Sequence, residues 1–224
     1  MSSTSIPRQS LRRLPIYLNY LKGLGEQAPD NISSAAIAEA LNFGPVQVRK
    51  DLACLPCNGR PKTGYVTREL VRALESFLGY DDVTNAVVVG AGKLGQALMS
   101  YNGFSQYGLN ILAAFDSSPA LAGLHINGKP VLPLEKLPGL CERLGVHIGI
   151  LTVPAEAAQD ICDLLVANGI LAVWNFAPVV LSAPPDVLVQ NENMASSLAL
   201  LSRHLAEKMQ PDWASSGSPG DQAI

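Results

Sequence analysis

Cysteine is scarce in this chain. Four residues in 224, at positions 54, 57, 141 and 162, are too few and too scattered for the disulfide framework of a small secreted domain. No apolar stretch reaches the ~20 residues of a bilayer-spanning helix, because Gly, Pro or a charge interrupts each one sooner. Nor does a basic-then-apolar leader open the chain, so a cytoplasmic protein with no membrane partner is expected. Histidine is rarer still. His125, His147 and His204 stand far apart, none in a local pattern with a carboxylate, so the usual residue of acid–base catalysis is poorly placed and no catalytic or metal site is expected.

Charged residues make up only 16% of the chain against 48% hydrophobic, a globular composition with enough material for two small domains. The net charge of −3 conceals an asymmetry. Residues 1–75 hold ten Lys/Arg against six Asp/Glu, a net of +4, and residues 76–224 hold six against thirteen, a net of −7. A basic head on an acidic body points to a polyanionic partner for the head alone.

The head reads as three short helices and a hairpin. Leu11, Leu14, Leu18, Leu21 and Leu24 recur at helical spacing, and Gly23 and Gly25 close that first helix. Ser33 or Ser34 is a cap for a second, with Ile37, Ala38 and Leu41 inward. Asn42-Phe43-Gly44 makes a turn, and Pro45 suits the first position of a third helix, where its missing N–H costs nothing. On that helix Val48 and Leu52 face inward, leaving Gln47, Arg49 and Lys50 outward near its start. A helix-turn-helix sets such side chains against base edges. Asn58-Gly59 signals the hairpin, and the flanking Arg60 and Lys62 would make it a wing on phosphates, a contact that weakens with salt. Cys54-Leu55-Pro56-Cys57 lacks a second Cys or His pair to complete a zinc shell. It reads as small residues joining helix to wing, with a thiol switch as the alternative.

The body begins with Ala86–Val89 running into Gly90-Ala91-Gly92-Lys93-Leu94-Gly95. A strand before the glycines and a Leu94-Ala97-Leu98 stripe after them meet the context test for a dinucleotide fingerprint. Gly90 serves the tight turn, Gly92 the approach of a pyrophosphate and Gly95 the packing of helix on strand. Asp116 ends the next strand, Leu109–Phe115, placed for both ribose hydroxyls. A carboxylate there repels a 2′-phosphate, so NAD(H) is the expected cofactor.

Alternation continues through Val146–Thr152, a helix over Glu156–Asn168 ended by Gly169, a strand over Gly169–Trp174 and a short one at Val187–Val189. This rhythm implies a parallel sheet, doubly wound, with ligand held beyond the strands' carboxyl ends. Thr152-Val153-Pro154 and Asn175-Phe176-Ala177-Pro178 reach that edge, where Asn175 and Phe176 would flank a nicotinamide. Only a short helix and a polar tail remain afterwards, too little for a substrate domain. The cofactor is therefore expected to be bound without being consumed. Met194, Leu198, Leu201 and Leu205 form an apolar stripe on a terminal helix capped by Asn193, suited to the chain's own sheet or to a partner copy. Residues 211–224 read as a disordered tail.

Taken together the segments resemble the Rex family of redox-sensing transcriptional repressors over about residues 5–207. The resemblance rests on Ile6-Pro7, Arg13-Leu14-Pro15, Gln47-Val48-Arg49-Lys50-Asp51-Leu52, Gly64-Tyr65, Gly90–Gly95, Ala113–Asp116, Leu151–Ala155 and Asn175–Val179. It implies an α/β chain with a winged-helix DNA-binding domain over 1–80 and a doubly wound parallel-sheet (Rossmann) NAD(H) domain over 81–190. A helix over 191–210, exchanged in a homodimer, would follow. It further implies that NAD+ permits operator DNA binding and NADH ends it. The implied cofactor set is Gly90, Ala91, Gly92, Lys93, Leu94, Gly95, Tyr101, Asp116, Thr152, Val153, Pro154, Asn175, Phe176, Ala177 and the partner copy's equivalent of Met194. The DNA set is Gln47, Arg49, Lys50, Arg60 and Lys62.

Three departures stand out. The family's aromatic, Gly-rich wing is here Cys54 to Lys62, with Pro61 where an Arg is usual. Asn19 and Asn193 replace an Arg and an Asp that the resemblance pairs across the dimer. Lys93 adds a positive charge beside the diphosphate loop. The competing readings are a diverged member with weakened DNA binding and a small nucleotide-dependent oxidoreductase.

Overall fold

The computed structural model describes residues 6–209; the tail expected over 211–224 lies outside the described residues. The chain divides into two compact units. One runs to Thr84 and regains Tyr101–Asn110, and the other takes Asn85–Ser100 and the chain from Ile111 onward.

In the first unit α1 (Arg8–Gly23) buries Leu14, Leu18 and Leu21, together with Tyr17, while Leu11 stays at the surface. A short β1 (Asn31–Ile32) leads to α2 (Ser34–Leu41), capped by Ser33, whose Oγ accepts the Ala36 N–H at 3.0 Å. Asn42 turns the chain with a left-handed φ of 55°, and Pro45 opens α3 (Pro45–Leu52), which buries Val48, Asp51 and Leu52. Then come β2 (Tyr65–Val66), antiparallel to β1, and α4 (Thr67–Phe77), which lies against α1. Each fully buried aliphatic side chain here contributes about 1.5–3 kcal/mol.

Two expectations for this unit need correction. The helix count was one short: Thr67, Leu70 and Leu74 form the inward stripe of α4, and Lys22 on α1 pairs with Glu75 on α4 at 2.6 Å. The hairpin also turns elsewhere than Asn58-Gly59. Arg60 and Gly64 exchange both backbone hydrogen bonds, at 2.7 and 2.9 Å. The reversal therefore falls on residues 61–63, where Pro61 presets one turn dihedral and Lys62 takes a φ of 69°.

The second unit is built from β3 (Thr84–Val89), α5 (Lys93–Ser100), β4 (Leu109–Asp116), β5 (His125–Ile126), β6 (Lys129–Pro133) and α6 (Leu137–Leu144). It continues with β7 (Ile148–Leu151), α7 (Ala155–Ala167), β8 (Ala172–Asn175), β9 (Leu188–Asn191) and α8 (Met194–Met209). The seven strands lie in the order β5-β6-β4-β3-β7-β8-β9. Pairs β4–β6, β3–β7, β7–β8 and β8–β9 are parallel, and β5 doubles back on β6. That β5–β6 hairpin was not anticipated. Its turn is Asn127-Gly128, both with positive φ, the residue pair that favours a tight two-residue reversal.

From β3 the chain first fills one side of the sheet, then returns to lay β7 on the other. The carboxyl ends of β3 and β7 are therefore where the winding reverses and the following loops part, which opens a crevice. Val87, Val89, Phe115, Leu151, Cys162 and Leu165 belong to the core of this unit. Asn193 caps α8, its Oδ1 accepting the Ser196 N–H at 2.9 Å. No residue of α8 is buried.

Candidate functional site

The loop after β3 is shaped by what a side chain would strike. Gly90 has a φ of +102°, and a Cβ there would meet the Thr152 carbonyl oxygen at 2.8 Å. A Cβ on Gly95 would run into the Gly90 carbonyl, so α5 reaches its seat only with glycine at that position. Gly92 differs: nothing lies within 4 Å of the space its Cβ would occupy. Its bareness serves no packing inside the protein and leaves backbone open to a bulky anion, with the N-terminus of α5 behind it. Thr152, at the end of β7, ties the two strand ends together by donating its hydroxyl to the Gly90 carbonyl at 2.7 Å.

Asp116, at the end of β4, accepts the Ala91 N–H at 2.7 Å on Oδ2 and the Ser118 N–H at 2.8 Å on Oδ1. Each carboxylate oxygen has a further lone-pair site. The group is thus held in place with capacity left for two ligand hydroxyls, the donor pattern of a ribose. Around it lies a cavity of about 780 Å³, within the range of small-molecule sites.

Of the residues expected around a cofactor, Gly90, Gly92, Leu94, Asp116, Thr152, Val153, Pro154 and Phe176 line this cavity. Ser117, Leu121, Leu134, Ala157, Asp160 and Ile161 line it too and were missed. Ala157, Asp160 and Ile161, spaced by three and one, share one face of α7. Ala91, Lys93 and Gly95 are in the loop and the first turn of α5 without lining the cavity.

The structure corrects the expected role of Asn175. It is fully buried, and its Nδ2 donates to Asn191 Oδ1 and the Val179 carbonyl, both at 2.8 Å. Its Oδ1 accepts the Ala177 N–H at 2.9 Å. Every polar atom is spent on shaping the turn that carries Phe176, and Ala177 is buried in that turn. Phe176 packs on Trp174 with ring centroids 4.9 Å apart. Tyr101 belongs to the first unit, exposed and edge-on to Phe104 at 4.9 Å. Met194 is exposed at the start of α8.

In the first unit Gln47, Arg49 and Lys50 are exposed along α3, and Arg60 and Lys62 are exposed on the wing. Behind α3 lies a feature that sequence reading missed. Asp51 is 2% exposed, and Arg13 of α1 grips it with two hydrogen bonds, Nε to Oδ2 at 2.7 Å and Nη2 to Oδ1 at 2.8 Å. Tyr17 adds a third at 2.8 Å. Burial alone would push the Asp51 carboxyl upward, but the bonds from Arg13, Ser10 and Tyr17 outweigh it and hold the group below the usual carboxylate range. Burial, aided by the bond to Asp51, pushes the Tyr17 hydroxyl up to about 12. Cys54 is exposed and Cys57 half-buried, both as free thiols. Among the described residues no three His, Cys, Asp or Glu are grouped to hold a metal, and no helix is long and apolar enough to cross a membrane.

Comparison with known proteins assigns both units. A family model described as a CoA binding domain matches residues 81–179, and another described as a putative DNA-binding protein N-terminus matches residues 5–53. Over 203 residues the chain is 41% identical to the redox-sensing transcriptional repressor Rex of Bacteroides fragilis, covering 91% of this chain and 92% of that one. Among solved structures it is similar to RSP, described as a Rex-family repressor. The complex of RSP with β-NAD+ and operator DNA matches with a TM-score of 0.86 and 36% identity, covering 92% of this chain and 95% of that chain. RSP with β-NADH matches with a TM-score of 0.82 at the same 36% identity, covering 92% and 97%.

Proposed function

The chain belongs to the Rex family of redox-sensing transcriptional repressors, and we propose that it holds NAD(H) on the loop after β3 and operator DNA on α3 and the wing, acting in the cytoplasm. It is an NADH-sensing, DNA-binding repressor that works as a dimer, and it is not an enzyme. The observation that carries the site assignment is the open backbone at Gly92 beside a pinned Asp116, in a chain that also exposes Gln47, Arg49 and Lys50 on one helix.

NAD+ brings a cationic planar ring, and NADH a neutral, more apolar one. Gly90–Gly95 would cradle the diphosphate, Asp116 the ribose hydroxyls, and Phe176 an apolar wall that favours the neutral ring. The unburied stripe of Met194, Leu198, Leu201 and Leu205 on α8 supports the reading that this helix packs on the partner copy. Half-site spacing on the operator is strict, so a displacement of the two recognition helices by a few Å loses the contacts. Driving such a balance from 1:99 to 99:1 takes about 5.5 kcal/mol of differential affinity.

The test is a fluorescence-anisotropy titration of a labelled operator with no nucleotide, with NAD+ and with NADH, at two salt concentrations. NADH is expected to release the DNA and NAD+ to leave it bound. Operator affinity indifferent to saturating NADH would overturn the reading.

A further inference from the structure

The ion pair behind α3 reaches one residue of the recognition surface. Arg13 has its Nε and Nη2 committed to Asp51 at 2.7 and 2.8 Å, which leaves Nη1 as its free arm. With the Gln47 amide turned so that Oε1 faces the guanidinium, that oxygen accepts from Nη1 at 2.9 Å and from Nε at 3.2 Å. The bond from Nη1 is the one that counts, because the single Nε hydrogen already goes to Asp51 at 2.7 Å. Gln47 and Asp51 are four apart on α3, so one guanidinium of α1 holds two successive turns of the same helix face. Arg13 cannot swing away cheaply, since leaving would strand a carboxylate that is 2% exposed.

Gln47 is exposed on α3 with its oxygen engaged by Arg13, so the NH2 is the half of the amide left to bond elsewhere. Glutamine ordinarily reads adenine with both amide atoms, accepting from N6 and donating to N7. Resting on the assignment of α3 as the recognition helix, we propose that Gln47 reads the operator as a donor alone, with Arg13 as the positioning residue that sets this specificity. The base it meets must offer an acceptor without a neighbouring amino group, which in the major groove means guanine O6 or N7 or thymine O4. Adenine is disfavoured because its N6 donors would face donors.

The test is selection from duplexes with a randomised half-site, using the full-length chain with NAD+ and sequencing the bound fraction. Comparing wild type with Gln47→Ala locates the base pair that residue 47 reads. There, wild type is expected to prefer guanine or thymine over adenine by about five-fold, the worth of one hydrogen bond. Arg13→Lys keeps a cation for Asp51 but loses the third arm, so it should raise adenine at that pair and leave other positions unchanged. Gln47→Glu serves as a second variant that leaves Arg13 itself unchanged. Its second oxygen is an acceptor, and preference should move to cytosine or adenine.

A wild-type preference for adenine at that pair overturns the proposal. So does a profile unchanged in both Arg13→Lys and Gln47→Glu. If Gln47→Ala leaves every position unchanged while Arg49→Ala alters one, residue 47 reads no base and only this inference falls. If wild type binds all duplexes alike, the recognition-helix assignment falls with it.

Discussion

On the proposed assignment, the chemistry of the first unit stands at the tips of side chains steadied from behind by a buried ion pair, whereas that of the second lies on the backbone of a loop stripped of side chains. Gln47, Arg49 and Lys50 project from a helix held through Asp51 and Arg13. The nucleotide loop instead depends on three glycines, two of them bare because protein atoms fill the space and one bare with nothing near it. The operator face should therefore fail when atoms are removed, and the nucleotide site when atoms are added.

The largest effect is expected at the buried pair. Asp51→Ala leaves the Arg13 guanidinium without its partner and should cost the first unit about 3–5 kcal/mol, read by urea unfolding. A milder Asp51→Asn tests the sign of the pH dependence. Because the folded-state carboxyl is held below its ordinary value, its contribution is present above the unfolded pKa of ~3.9 and fades as pH falls through the lower folded value. Acid unfolding of the wild type should show that loss, and Asp51→Asn should not. A substitution at 51 that left stability intact would mean that the ion pair is not what steadies α3.

Two glycine substitutions separate fold from ligand in the second unit. Gly95→Ala drives a methyl into the Gly90 carbonyl and should destabilise the unit by about 1–3 kcal/mol as well as losing NADH. Gly92→Ala meets no protein atom, so its melting temperature without nucleotide should match wild type while NADH affinity collapses. If the two behaved alike, the open space at Gly92 would not be where a ligand lies.

Side-chain truncations supply the crossed test. Arg49→Ala should weaken operator binding by about 1–3 kcal/mol if it makes a paired contact to a base, with NADH affinity unchanged. Asp116→Ala should weaken NADH and spare DNA affinity measured without nucleotide. Both affinities measured in both variants establish whether the two functions are separable. A common loss would point to damage that spreads beyond either site.

Local signals made much of this legible in the sequence, and long-range ones stayed hidden. The fingerprint at Gly90–Gly95, the strand ending in Asp116, the Ser33 cap and Pro45 at the head of α3 are each set within a few residues, and each has its expected local form. The grip of Arg13 on Asp51 spans 38 residues, and nothing near either residue announces it. An apolar pattern marks only Val48 and Leu52 as the inner face of that helix, and a buried charge such as Asp51 breaks the pattern. Asn175 misled for the same reason: an amide at a strand end reads as a ligand contact, but four backbone and side-chain partners consume it. Four Asn-Gly pairs stand in the sequence, at 58, 102, 127 and 168, and the one at Asn127-Gly128 makes the tight turn between paired strands. At the wing, Pro61 two residues later moves the reversal past Asn58-Gly59.

The smallest predicted effect concerns that wing, where this chain departs most from the pattern it otherwise follows. Lys62 is exposed and sits in the reversal itself, in a left-handed conformation unusual for a residue other than glycine. An ammonium at such a tip is suited to a phosphate, not to a base edge, and a phosphate contact carries no sequence information. Lys62→Ala should therefore weaken binding to every duplex by the same factor and lower the slope of log affinity against log salt by about 1. Lys62→Gly would keep the turn relaxed while removing the same charge, so the two variants should agree if charge is the cause. A change in half-site preference in either one would instead make the wing a reader of sequence, and the division between a base-reading helix and a phosphate-holding wing would have to be redrawn.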